Sequence, residues 1–201
     1  MLQLPKSTEV NKPLPKKAIY AKFQMNTAEK EKIDKDISRI TIVNEISSSR
    51  INISEGVNIK TFFVVLVALK QKQFSERTII TISKLIPQNM VMILQFEDEA
   101  KLVVYRNSLL QSDWKNIDDI KIELSGLNMD KVWENVIVQI GDLQISEGNS
   151  LDEQIVVEEK KKKLIKDIEK MEKQARSEKQ PKKKFELVSK IRKLKIEMEK
   201  L

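Results

Sequence analysis

Residues 62–69 read FFVVLVAL, an unbroken run of eight apolar residues in an otherwise polar chain. A strand that is covered on both faces of its sheet is apolar at every position, whereas a half-exposed strand alternates. Eight residues are also far fewer than the roughly 20 that span a bilayer. The run therefore predicts a buried central strand, and a sheet must form around it.

The segments on either side of this run supply its neighbours in the sheet. Residues 39–46 alternate in polarity, as a strand with one buried face does, and residues 90–96 form a second apolar run. Because a helical pattern over 75–86 separates the two runs, we expect those two strands to be parallel. Residues 102–105 then return as an antiparallel hairpin.

The remaining segments before residue 150 predict less regular elements and further helices. We expect an extended arm over 4–17, an edge segment at Ile51 and Ile53, and one more strand over 117–124. Helices are predicted over 18–23, from Asn26 or Thr27 to Ile37, and over 129–140 with Asn128 as its cap. Residues 1–150 are thus predicted to form an α+β body with a mixed sheet and packed helices.

The composition changes after the Ser, Gly and Asn residues of 146–150. Residues 151–201 carry 17 Lys or Arg against 11 Asp or Glu, whereas the rest of the chain is nearly balanced, at 20 against 19. Two series of apolar residues recur there every three or four positions: Leu164, Ile168, Met171 and Ala175, then Leu187, Ile191, Leu194, Met198 and Leu201. With Pro181 between them, they predict a basic antiparallel helical hairpin as a second domain. Dimerisation through the same apolar seams is the alternative.

The hairpin also carries the candidate binding residues. Ile165, Phe185 and Val188 lie outside the strict seam and predict a surface for a protein partner. Eight lysines are candidates for binding phosphate: Lys160, Lys161, Lys162, Lys163, Lys166, Lys182, Lys183 and Lys184. Nearby glutamates dilute their field and no aromatic residues are interleaved, so a solvated helix face is the alternative.

The composition excludes much of enzyme chemistry. The chain has no cysteine and no histidine, which removes thiolate nucleophiles, imidazole catalysis and zinc sites that use either residue. A magnesium site made of carboxylates remains open. We predict no catalytic residue, no cofactor and no resident metal.

Two features still have a chemical interpretation beside a structural one. Lys70 follows the central strand, as a lysine does in metal-dependent nucleases, but the position two residues earlier, where those enzymes have an acid, is Ala68. An acidic set, formed by Glu97, Asp98 and Glu99 with Asp118 and Asp119, would bind a cation only if the fold joined its two parts. Charged turn residues that discourage edge pairing are the alternative.

Three stretches together carry a family resemblance. They are residues 4–23 (LPKSTEVNKPLPKKAIYAKF), residues 67–72 (VALKQK) and residues 179–195 (KQPKKKFELVSKIRKLK). Over nearly its whole length the chain resembles an uncharacterised bacterial and archaeal family, domain of unknown function 4391. The resemblance implies a setting beside helicase and DNA-methyltransferase genes of restriction or phage-defence loci. It supplies no catalytic motif.

These observations predict a non-catalytic accessory protein, a subunit or adaptor of a restriction or phage-defence system, with a helicase or DNA methyltransferase as its protein partner. A nucleic-acid-binding module that uses the basic hairpin is the alternative, and a degenerate metal-dependent nuclease is a third. The start of the chain lacks an export signal, and no segment has the length of a membrane span, so we expect a cytoplasmic protein without membrane contact.

Overall fold

In the computed structural model, which describes residues 2–200, the chain forms two compact units, residues 1–142 and 143–201. The strands of the first unit are β1 (Glu9–Pro13), β2 (Ile37–Ser47), β3 (Thr61–Leu69), β4 (Met90–Phe96), β5 (Glu99–Arg106), β6 (Ser108–Gln111) and β7 (Lys115–Asn116). Its helices are α1 (Lys16–Lys22), α2 (Thr27–Asp36), α3 (Ser48–Ile51), α4 (Glu76–Leu85) and α5 (Met129–Gly141). The second unit contains α6 (Leu151–Ser177) and α7 (Pro181–Glu199).

The seven strands form one mixed sheet in the order β1-β2-β3-β4-β5-β6, with β7 also paired to β5. Strands β3 and β4, which α4 connects, are parallel, and the other pairs are antiparallel. The prediction of a parallel pair beside an antiparallel hairpin is therefore confirmed. So is the α+β fold class with a C-terminal helical hairpin.

Strand β3 is central because helices cover both faces of the sheet at this point. Val65 and Val67 belong to a buried cluster that includes Ile79 of α4. On the opposite face the Phe62 ring lies 4.9 Å from the ring of Trp133 in α5, measured between centroids. Burial on two faces explains why residues 62–69 of the strand are all apolar. This burial is incomplete at Leu66, which is only half-buried.

Helix starts follow the capping residues that the sequence offers. Asn26 forms a capping box with Glu29: its side chain accepts from the Glu29 amide at 2.9 Å, and Glu29 accepts from the Asn26 amide at 3.0 Å. Asn128 caps α5 by accepting from the Lys131 amide at 3.0 Å. Ser75 precedes α4 as predicted, but its side chain makes no capping hydrogen bond.

Three local predictions are wrong, each where a short polar segment forms hydrogen bonds that sequence periodicity does not reveal. The predicted arm over 4–17 contains a 3₁₀ turn and the edge strand β1, paired to β2. Ile51 ends the short helix α3 rather than starting an edge strand. The segment 117–124 contains a 3₁₀ turn and one isolated bridge instead of a strand, and the short strands β6 and β7 were not predicted.

The second unit is an antiparallel pair of helices joined by residues 178–180. Ile168, Ala175 and Ile191 are buried between the helices, and Met171, Leu187 and Leu194 pack against them. These are residues of the predicted seam, so the seam is confirmed for them. Leu201, the last predicted seam residue, lies outside the described residues. The division into domains at residue 150 stays a prediction.

Candidate functional site

Helix α7 carries apolar residues outside its buried seam as well as within it. Leu187 and Ile191 face α6, whereas Phe185 is 74% exposed, Val188 51% and Ile196 44%. At 100° per residue, Phe185 lies about 200° from Leu187, and Ile196, eleven residues later, lies within about 20° of Phe185. We call Phe185, Val188 and Ile196 the outer stripe. The spacing that identified the first two residues also marks Ile196, which the sequence prediction omitted.

Ile165 and Val188 share one flank of the hairpin. Glu172 lies seven residues after Ile165, and Lys195 lies seven after Val188, so each pair is two turns apart on one side of its helix. The Glu172 carboxylate accepts a hydrogen bond from Lys195 Nζ at 2.9 Å, which brings those two sides together. Ile165 is 43% exposed. The three predicted partner-binding residues are therefore all exposed, and two of them line the same flank.

The eight candidate phosphate-binding lysines do not form a single cluster. Seven of them are exposed, and Lys161 is half-buried and pairs with Glu158 at 3.3 Å. Fourteen residues of helix separate Lys163 from the end of α6, a rise of about 21 Å, whereas Lys182 stands at the start of α7. The lysines thus form two basic regions at different heights on the hairpin.

The lysine after β3 lacks the acid that a metal-dependent nuclease would need. Ala68 pairs with Arg39 on one side and Gln95 on the other, so neither strand neighbour supplies a carboxylate at this point. Lys70 is exposed, and its amide donates to the Asp36 carbonyl at 2.9 Å. Its ammonium lowers the pKa of Asp34 only as a minor contribution, after the larger effect of Lys16.

Asp36 is a buried carboxylate that the sequence analysis did not single out. It is 3% exposed, and its carboxylate accepts from the Ser75 amide at 2.9 Å, Thr78 Oγ1 at 3.1 Å and Gln71 Nε2 at 3.3 Å. It therefore anchors the start of α4 to the end of α2. A contact between residues that are 39 positions apart leaves no local signal in the sequence.

A cleft of about 590 Å³ opens beside Asp36, between α2 and α4. Its charged lining is mixed: Lys32, Lys35 and Arg77 oppose Glu29 and Asp36. The Asp36 carboxylate already accepts three hydrogen bonds, which connect α2 to the start of α4. The cleft consequently has no single ligand class that its charges select.

The predicted acidic set is divided among structural contacts. The Ile117 amide donates to the Asp98 carbonyl at 2.8 Å, which brings the turn containing Asp118 to the β4–β5 hairpin, and Glu99 pairs with Lys72. Within residues 2–200, however, no three Asp, Glu, His or Cys side chains are grouped as metal binding requires. No helix in this part of the chain is long and apolar enough to cross a membrane.

A second structural carboxylate, Asp130, holds the loop that leads into β3. It accepts from the amides of Ile59 at 2.6 Å, Val57 at 2.8 Å and Asn58 at 3.1 Å. These backbone hydrogen bonds, that of Ile59 first, lower the pKa of Asp130 below its usual value. Gly56 is required here because a Cβ at this position would lie 2.4 Å from Asp130 Oδ1.

The model of a protein family described as a domain of unknown function (DUF4391) matches residues 2–198. No curated protein and no solved structure matches the chain. Among the residues described above, Asp36 and Asp130 support the loops and helices of the body. The candidate surface is formed by the exposed apolar residues of the hairpin.

Proposed function

Because the chain belongs to the DUF4391 family, whose model covers residues 2–198, we propose that it acts as a non-catalytic accessory protein whose helical hairpin docks onto a protein partner. The proposed setting is a cytoplasmic restriction or phage-defence system, and the proposed partner is a helicase or DNA methyltransferase.

One observation carries this proposal. The hairpin buries its own seam with Ile168, Ala175 and Ile191, yet Phe185 remains 74% exposed, with Val188 beside it. Exposed apolar side chains at helical spacing, outside a completed seam, are typical of surfaces that bind a further element. Aromatic residues are also common among the few that dominate a protein interface.

The absence of an acid at Ala68 supports a role without catalysis, because a nuclease metal site at β3 would lack a ligand there. The carboxylates of Asp36 and Asp130 in the body both accept hydrogen bonds from backbone amides, which gives each a structural role. A degenerate nuclease is accordingly not the proposal that these residues favour.

Nucleic-acid binding is the second candidate, and the exposed lysines favour it. Lys182, Lys183 and Lys184 are exposed, and the first turn of α7, in which they stand, contains no acid. Phosphate contacts weaken steeply as salt rises, whereas a packed apolar interface does not. Salt dependence therefore separates the two candidates.

The test is affinity capture with the full chain from cells of its own source, after nuclease treatment, at moderate and at high salt. The proposal predicts that one subunit of a DNA-acting enzyme is retained at both salt concentrations. Phe185→Ser with Val188→Ser should lose it, whereas Leu127→Ser, which alters an exposed apolar residue outside the hairpin, should retain it. Capture that disappears with nuclease or salt would favour the nucleic-acid candidate instead.

A further inference from the structure

Six cations surround the turn that joins α6 to α7. They come from the end of α6, the connection and the start of α7: Lys173, Arg176, Lys179, Lys182, Lys183 and Lys184. All six are exposed. At 1.5 Å of rise per residue, each lies within about 6 Å of the connection along its helix axis. We call these six residues the basic tip.

The charge of the basic tip is nearly of one sign. Residues 173–184 contain a single acid, Glu178, whose carboxylate accepts a hydrogen bond from the Gln180 amide at 2.8 Å. Arg176 lies 3.8 Å from Glu172, yet its side chain remains 82% exposed. The five lysines of the tip form no ion pair within residues 2–200, not even with Glu186, the first acid of α7.

The lysines nearer the start of α6 differ in this respect. Lys160–Lys163 directly follow Glu158 and Glu159, and Lys161 is paired with Glu158 at 3.3 Å. Acids thus accompany the cations in that region. The eight lysines that the sequence analysis grouped are therefore not equivalent, and charge of one sign is concentrated at the tip.

Helix stability does not explain the lysines at the start of α7. The N-terminal end of a helix dipole is positive, so acids stabilise it and cations do not. Elsewhere the chain follows this rule, with capping boxes that use Glu29 in α2 and Glu153 in α6. Helix α7 instead has no capping hydrogen bond from a side chain, no acid in its first turn and three consecutive lysines. A local departure from a stability rule is typical of a functional surface.

The composition of the tip indicates the class of ligand. Between Lys173 and Lys184 the apolar residues are Ala175, which is buried in the seam, and Pro181. A ligand must therefore be held by charge and hydrogen bonds. A nucleic-acid duplex, with one negative charge per about 1.7 Å of its axis, suits such a surface. We propose that the basic tip binds the phosphates of a nucleic-acid backbone without reading the base sequence.

Two other occupants fit the tip less well. A helix that lies in a lipid interface needs an apolar face beside its lysines, and the tip has none. A protein interface has an apolar core inside its polar rim, which the tip does not supply. The proposal goes beyond the docking role, because it concerns the end of the hairpin and not the outer stripe.

The experiment titrates the full chain into labelled DNA and RNA duplexes of about 20 base pairs over a range of salt concentrations. Fluorescence anisotropy should detect binding that weakens steeply as salt rises. Binding of either duplex supports the proposal, and the tighter one identifies the source of the phosphates. Lys182→Gln with Lys183→Gln and Lys184→Gln should weaken binding about tenfold or more at roughly 0.1 M salt and reduce the salt slope by about 2 to 3, because three phosphate contacts are lost.

The matched control removes the same charge elsewhere on the hairpin. Lys160→Gln with Lys162→Gln and Lys163→Gln changes three exposed lysines that lie about 15 Å or more along α6 from the tip. This distance exceeds the Debye length of about 8 Å at physiological salt, so duplex affinity should stay within about twofold of the wild type. The tip variant should melt no lower than the wild type, because it removes cations from a helix N-terminus.

Three results would overturn the inference. The first is that the wild-type chain binds neither duplex. The second is that the tip and control variants weaken binding equally, which would indicate an effect of net charge alone. The third is that the tip substitutions abolish binding to phosphatidylserine vesicles without changing duplex binding.

The outcomes also separate this inference from the proposed function. Phe185→Ser with Val188→Ser removes no cation and should leave duplex binding unchanged. If this variant loses the captured partner while the tip variant keeps wild-type duplex binding, the docking role stands and the inference fails. If the tip variant loses duplex binding while capture is independent of Phe185 and Val188, the inference stands and the proposed function fails.

Discussion

Lys195 Nζ donates a 2.9 Å hydrogen bond to the Glu172 carboxylate and so links α7 to α6 along the flank that also carries Ile165 and Val188. Both side chains of the pair are partly exposed, and Arg176 lies 3.8 Å from the same carboxylate. The pair therefore shows which sides of the two helices are neighbours, while the buried seam supplies the packing.

The Glu172–Lys195 pair predicts a dependence of hairpin stability on pH. The Lys195 hydrogen bond, followed by its charge, lowers the pKa of Glu172. A carboxylate whose pKa is lower in the folded state stabilises that state above its unfolded pKa, and this contribution disappears as pH falls through the folded value. Lys195→Ala should therefore lower the melting temperature slightly at neutral pH and have no effect in acid. A difference that persists at pH 2 would contradict this account.

Asp36 predicts a larger loss of stability. Asp36→Ala leaves the Ser75 amide and the Thr78 hydroxyl without their acceptor, and an unsatisfied buried donor costs about 1–3 kcal/mol. Urea denaturation should report a lower free energy of unfolding by an amount in this range. Lys35→Ala, at the exposed neighbouring position, is the control and should change it little. Equal effects of the two substitutions would mean that Asp36 does not anchor the start of α4.

Asp130 predicts local protection of the loop before β3. Asp130→Ala removes the acceptor of the Val57, Asn58 and Ile59 amides, so hydrogen exchange at Ile59 should accelerate markedly. Because the pKa of Asp130 is lowered in the folded state, wild-type protection should persist above the usual Asp pKa and be lost only in stronger acid. Glu134→Ala on the same helix should leave Ile59 protected.

The central strand predicts different outcomes for neighbouring substitutions. Val64 is fully buried, so Val64→Asp would place an unpaired carboxylate in the core at a cost of several kcal/mol and unfold the body. Leu66 is half-buried, so Leu66→Asp can keep its charge hydrated and should yield folded but less stable protein. Circular dichroism and thermal melting distinguish the two. A folded Val64→Asp variant would contradict the two-sided burial of β3.

Much of the fold could be predicted because its signals are local. The apolar run 62–69, the series around Ile168 and Ile191, and the caps Asn26 and Asn128 each combine a pattern with a known physical requirement. For residues 117–124 the prediction from the local pattern was wrong. Their alternating polarity suggests a strand, but Ile117 bonds to the Asp98 carbonyl and starts a 3₁₀ turn.

In the candidate site, too, some residues could be predicted from the local sequence and others could not. Phe185 and Val188 were predicted because helical spacing alone places them off the seam, and the same spacing could have included Ile196. The roles of Asp36 and Asp130 could not be predicted, since their partners lie about 39 and 71 residues away and only the tertiary fold joins them. Whether the lysines bind phosphate stays a prediction.

The most direct test of the docking role compares partner capture with the melting temperature of one variant, Phe185→Ser with Val188→Ser. Both side chains are more than half exposed, so removing them should cost the isolated protein little. The account predicts that the variant keeps the helicity and nearly the melting temperature of the wild type and no longer captures the partner. A variant that melts far below the wild type on its own would show that these side chains stabilise the folded chain, and the docking surface would lose its physical basis.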